Sequence, residues 1–200
     1  MSSNYYFTIF EKSIAEFKDR GSRFIACAFP INSIAEFKIQ LAAIKKDFPK
    51  ATHYCFAYRI GTDATIFRSS DAGEPSGSAG KPILGQIDSN ELTDVAVVVI
   101  RFFGGSLLGV PGLINAYKTS TALALQTTAK IKKDILVYYN LEFDYTKMNE
   151  VMLVIKKFNC AILKNEATLF CKLQIGIPKS NLEISLLKFN EMNGLRIEKI

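Results

Sequence analysis

The chain has 200 residues, 48% of them hydrophobic and 22% charged, with only six prolines; that apolar share excludes a disordered chain and can fill one large domain or two small ones. Its longest apolar run, from Val95 to Ile100, is strand-sized and far short of the roughly 18 residues that cross a bilayer as a helix. The net charge of +6 is spread evenly, with 14 basic against 11 acidic residues up to position 130 and 11 against 8 beyond it, so no basic stripe marks a dedicated nucleic-acid binder.

The first residues, MSSNYYFTIFEKS, lack the basic region and the small-residue cleavage site of a secretion signal. Cys27, Cys55, Cys160 and Cys171 are widely spaced, and with His53 as the one histidine they form no zinc pattern. Reduced thiols in a cytoplasm are expected, with no metal, cofactor or membrane role.

In chain order, residues 4–10 and 23–29 read as two paired strands, rich in aromatic and β-branched side chains. Ser33 and Glu36 are spaced as a capping box, and Ile34, Phe37, Leu41, Ile44 and Phe48 then recur at helical spacing up to Pro49. Residues 54–60 and 65–68 form a hairpin around Gly61-Thr62-Asp63. SSDAGEPSGSAG, residues 69–80, carries no large apolar side chain and is a loop feeding a short helix. Residues 95–103 read as a buried strand, GGSLLGVPG as a second glycine-rich loop, and residues 113–131 as a long helix.

From Ile135 the pattern is strand, helix, strand, strand, helix, strand, the order of a ferredoxin-like βαββαβ unit. An α+β fold with domains at 1–132 and 133–200 is therefore expected. The hairpin in the second domain is expected to turn at Asn165-Glu166, which makes Cys160 and Cys171 cross-strand neighbours, reduced because ladder geometry and compartment disfavour a disulfide.

Chemistry-bearing residues concentrate around the two glycine-rich loops. His53 and Cys55 share one face of an extended segment, but side chains two apart on a strand point in parallel, which argues against a nucleophile–base pair. Asp71 and Glu74 have a spacing compatible with acid–base work or with turn construction around Gly73, Gly77 and Gly80. Ser76, Gly77, Ser78, Gly80 and Lys81 have the makings of an anion nest at a helix start. Pro75 and Pro82 stand where a phosphate-binding P-loop needs Gly and Ser or Thr, so the segment is not such a loop, which argues against NTPase chemistry. Arg101 ends the apolar strand beside Phe103, Gly104 and Gly105, placed either to bind an anion or to pair with Asp71 or Glu74 and stitch the loops together. Both loops follow strands and lead into helices, so a common groove is expected, with His53 and Tyr58 as walls.

The segments DAGEPSGSAGKPIL (71–84), RFFGGSLLGVPGLINAY (101–117) and SRFIA (22–26), with His53 and Ala57, resemble the YigZ/IMPACT family, whose pattern is close to DxGEPSGTAGxPIL followed by RYFGGxKLGxGGLxRAY. The resemblance implies an N-terminal α/β domain similar to the second domain of a small-subunit ribosomal protein and a C-terminal domain similar to the last domain of elongation factor G. It also implies a translational setting, since eukaryotic members regulate translation by competing for an activator of a stress kinase. Leu107, Pro111 and Asn115 replace the family's lysine, glycine and arginine, removing two cations and leaving Arg68, Lys81, Arg101 and Lys118 as candidates. The expected function is that of a cytosolic accessory or regulatory protein of translation. It would bind RNA, the ribosome or a protein partner, without evident DNA specificity, through an anion-binding groove. The alternative is a hydrolase or transferase using Asp71, Glu74, His53 and Arg101.

Overall fold

The run VAVVVI is apolar at every position because its strand is covered on both faces. In the computed structural model, which describes residues 3–167 and 170–200, that strand is the centre of the first of two compact units, Tyr6–Lys133. Its elements are β1 (Tyr5–Ile9), β2 (Ser13–Asp19), β3 (Ser22–Pro30), α1 (Ile34–Asp47), β4 (His53–Ile60), β5 (Ile66–Ser70), α2 (Gly80–Ser89), β6 (Val95–Phe102), α3 (Gly109–Gln126) and β7 (Lys130–Asp134). Strands β2-β3-β6-β4-β5 form one antiparallel sheet in that order.

Alternation along β6 divides the core into two layers. Val95, Val97 and Val99 pack under α2 and α3 with Ile83, Ile87, Leu113 and Tyr117. Ala96, Val98 and Ile100 face the opposite side, where α1 contributes Phe37 and Ile44. Helix α1 starts as its sequence requires: Ser33 Oγ accepts the Glu36 N–H at 3.1 Å, and the Glu36 carboxylate reaches back to the Asn32 N–H at 2.8 Å.

Three expectations are corrected here. The first strand does not pair with the segment at Arg23; it pairs with β7 in a separate two-stranded ribbon. The partner of β3 is the unexpected β2, joined to it by Arg20 and Gly21, both at positive φ (43° and 80°), a two-residue turn whose twist suits a tight hairpin. The long helix spans Gly109–Gln126 rather than 113–131, so residues 130–134 are strand.

The second unit, Asp134–Ile200 with the start of the chain, contains β8 (Leu136–Asp144), α4 (Met148–Lys157), β9 (Ala161–Ala167), β10 (Phe170–Pro178), α5 (Leu182–Asn190) and β11 (Arg196–Lys199). The antiparallel order β11-β8-β10-β9 is that of a ferredoxin-like sheet, and with five helices among the described residues the chain is α+β. Leu141 and Phe143 of β8 and Cys171, Leu173, Ile175 and Ile177 of β10 face Val151, Ile155 and Phe189 of the helices.

The expected Cys160–Cys171 adjacency is overturned, because Cys171 opposes Ala167 and Leu173 opposes Asn165. Asn165 and Glu166 lie inside β9, where they stand opposite Leu173 and Lys172. Thr168 and Leu169 lie outside the described residues. All four cysteines are buried and free.

Candidate functional site

Register places the site's first pair. His53 opens β4 directly opposite Arg101 at the end of β6, and both lie on the α2/α3 side of the sheet, as does Cys55 opposite Val99. The Arg101 carbonyl accepts the Thr52 N–H at 2.8 Å and Thr52 Oγ1 accepts the Phe103 N–H at 3.3 Å, which fixes the chain where β6 gives way to the glycine-rich loop.

The loop after β5 brings in the carboxylates, and they do different things. Asp71 is a structural hub: Oδ2 accepts the Gly77 N–H at 2.9 Å, while Oδ1 accepts those of Ala79 and Gly80 at 3.0 and 2.8 Å. Burial works to raise its pKa, but the Gly77, Gly80 and Ala79 N–H groups outweigh that and hold the carboxyl below the usual aspartate range. Within the segment expected to form an anion nest, the Gly77, Ala79 and Gly80 N–H groups are therefore taken by the chain's own carboxylate, and that of Ser78 by the Pro75 carbonyl. Ser78 is buried and donates to the Pro75 carbonyl at 2.6 Å, while Ser76 and Lys81 are exposed. Gly80 has no room for a side chain, because a Cβ would lie 2.6 Å from the Ser70 nitrogen.

Glu74 points the other way, into the core, with its side chain 3% exposed. Its Oε1 accepts from Arg101 Nη1 at 2.6 Å and from the Tyr117 hydroxyl at 2.8 Å. Arg101, 7% exposed, lies over the rings of Phe24 and Phe103, and its Nε is buried without a hydrogen-bond partner. The internal pairing left open by the sequence is thus the one formed, and it is with Glu74. His53 Nε2 is 3.9 Å from the same Oε1, and its Nδ1 is 2.9 Å from the Ala72 carbonyl.

The Cys55 thiol donates to the Asp71 carbonyl at 2.9 Å and sits 3.2 Å from the Tyr117 hydroxyl. Burial pushes this thiol up to about 12 and, with Cys55 and Glu74 adding to it, pushes the Tyr117 phenol upward too, so neither ionises near neutrality.

A cavity of about 510 Å³ opens over this network. Its polar end is Thr52, His53, Glu74 and Arg101; its walls are Pro75, Phe103, Leu107, Leu108, Gly109, Val110 and Leu113. Leu107 is 85% exposed, and Phe103 and Val110 are about half exposed. Gly104 backs the loop against the β2–β3 turn: a Cβ there would lie 1.9 Å from the Gly21 carbonyl carbon, and its N–H reaches Ser22 Oγ at 3.2 Å. Gly105 is at φ 88°.

The two loops therefore meet, and Glu74, Arg101, Phe103 and His53 come together. Tyr58, expected as a wall, lies in the opposite core layer against Phe37. Arg68 lies over the Phe56 ring and Lys118 is exposed; neither lines the cavity. Sequence reading missed Tyr117 and, apart from Phe103, the apolar walls. The available signal was a tyrosine at a core position of an Ala- and Leu-rich helix, whose hydroxyl needs a buried partner.

Residues 20–125 match the model of the Impact N-terminal domain. The chain is 30% identical over 191 residues to an IMPACT family member of Haemophilus influenzae, covering 94% of this chain and 90% of that one. It is 36% identical over 146 residues to the IMPACT family member YvyE of Bacillus subtilis, covering 73% and 67%. The yeast Protein IMPACT homolog is 38% identical over 96 residues, or 46% of this chain and 36% of its own. A crystal structure described as a hypothetical protein superposes with a TM-score of 0.77 at 25% identity, over 99% of this chain and 98% of the other. The two glycine-rich loops that build the cavity both fall inside the matched domain, and the chain belongs to the IMPACT family.

Proposed function

We propose that this protein acts by binding, not by turnover, as an accessory or regulatory factor of translation that engages a protein partner through the groove between its two glycine-rich loops. The observation that carries the reading is the engagement of Asp71, Glu74 and Cys55 in the scaffold. Asp71 holds three backbone N–H groups, Glu74 is bonded to Arg101 and Tyr117, and the Cys55 thiol is pushed up to about 12. A nucleophile needs an accessible thiolate or its equivalent, and the buried Cys55 thiol does not supply one.

A protein partner is favoured over RNA by the groove's chemistry. Its walls are apolar, and its one permanent cation, Arg101, is matched by Glu74, whereas phosphate recognition draws on several free cations. The translational setting rests on the family resemblance, and the expected likeness of the two domains to ribosomal and elongation-factor domains supports the same setting.

A photoreactive side chain at Leu107 tests this. Cross-links to polypeptide that survive ribonuclease, and whose yield holds as salt rises fourfold, are expected. A contact made through two or three phosphates on a single strand would weaken about 7- to 20-fold over that range, from a log–log slope of about −1.4 to −2.1. Turnover of phosphoester or peptide substrates that disappears in Glu74→Gln would establish the hydrolase alternative instead.

A further inference from the structure

We propose that the polar end of this groove recognises a lysine side chain of the partner, flanked by apolar residues that rest on the walls; this rests on the protein-binding reading above. Two observations fix the chemistry of the missing group. The Ala72 carbonyl can only accept, so His53 Nδ1, 2.9 Å away, carries the proton, and in the neutral ring Nε2 presents a lone pair to the cavity. Glu74 receives Arg101 and Tyr117 on Oε1 alone, and no donor among the described residues reaches Oε2. The imidazole and the carboxylate thus border the same cavity, each with an acceptor that no donor among the described residues meets.

Their spacing is informative. Nε2 lies 3.9 Å from Oε1, the oxygen already taken by Arg101 and Tyr117, which is too far for a direct hydrogen bond and leaves room for a donor nitrogen between the imidazole and the carboxylate. A neutral hydroxyl supplies one donor; an ammonium supplies three rotatable ones and a charge. Arg101 opposes this cation least where it stands, because its charge is matched on Oε1 and its guanidinium lies over Phe24 and Phe103.

The rest of the cavity fits the same side chain. Phe103, Leu107 and Val110 offer an apolar surface leading to an acceptor-lined floor, and lysine is an apolar stem with a charged head. A carboxylate or phosphate would meet Glu74 head-on. An aliphatic residue would leave these acceptors desolvated and unpaired.

Three capped tripeptides, acetyl-Leu-Lys-Leu-amide and its norleucine and glutamate counterparts, separate these outcomes on the intact protein. His53 is the chain's only histidine, so its imidazole nitrogen resonances report the site without ambiguity. The lysine peptide is expected to bind about tenfold tighter than the norleucine one, the equivalent of a charge-assisted hydrogen bond, and to move the Nε2 signal. In Glu74→Gln the preference should fall to about one, while in Leu107→Glu the apolar contribution should fall for both peptides. Because the comparison among peptides uses the wild-type chain, it stands even if Glu74→Gln folds poorly. Equal binding of lysine and norleucine peptides, or tighter binding of the glutamate one, overturns the lysine assignment and leaves the apolar groove standing. Silence from all three at millimolar concentration overturns the lysine assignment, while cross-linking at Leu107 decides the protein-binding reading independently.

Discussion

At the scale of single residues, a carboxylate's role is set by what its environment donates to it. Asp71 and Glu74 are three apart in one loop, yet one caps a helix and the other forms a buried ion pair. Asp71 titrates below an ordinary aspartate in the folded chain, so its contribution to stability is present above about pH 4 and is lost as pH falls through its lowered folded value. Asp71→Ala should therefore cost about 2 kcal/mol near neutrality, in the upper range of a lost helix cap, and the difference from wild type should shrink in acid denaturation curves. A difference that stays constant down to pH 2 would mean that the carboxylate does not carry it. The next residue has the reverse character. Ala72 is held at φ 47°, in the left-handed region, so that its carbonyl meets His53. Ala72→Gly should relieve that strain and raise stability by about 1 kcal/mol in urea melts, with the His53 resonances unchanged.

Elements show where sequence and structure part. The capping box of α1, the loop–helix junction at Gly80 and the βαββαβ order were legible, because each is signalled by local residue chemistry. Strand β2 was not, since SIAEFKD is an edge strand whose Glu16 and Lys18 face solvent, and its apolar positions bury too little to stand out. Strand β7, KIKKD, reads as a charged linker, and only its partner β1, more than 120 residues earlier in the sequence, makes it a strand. The β9–β10 register differs from the expected one for a related reason: Asn165-Glu166 has turn chemistry, while the β8–β10 pairing fixes which residues of β10 face inward. Backbone nuclear Overhauser effects between Leu173 and Asn165 are expected, and any between Cys160 and Cys171 would restore the discarded register. In the site, the Glu74–Arg101 meeting could be read because both loops leave strands on the same side. Tyr117 could not, because a helix's spacing does not say which core hydroxyl meets which carboxylate.

Across the whole molecule, every residue of the groove lies within Tyr6–Lys133. A chain ending at Lys133 should keep the His53–Ala72 hydrogen bond and its imidazole signature. One ending at Gln126 removes β7, the strand that pairs with β1, and should melt several degrees lower in circular dichroism, or aggregate. The buried network also spans long stretches of chain: Tyr117 meets Glu74 across 43 residues and Cys55 across 62. This has a consequence for synthesis. The ribosome releases the His53 strand, the Glu74 loop and the Arg101 strand in order, but α3 emerges last of the groove's elements and brings with it Tyr117 and the Leu113 wall. Until α3 has cleared the exit tunnel, a nascent chain holds Glu74 and Arg101 without the hydroxyl and apolar cover that settle them, so the groove is completed late, and a partner that requires it meets only chains whose first unit is finished.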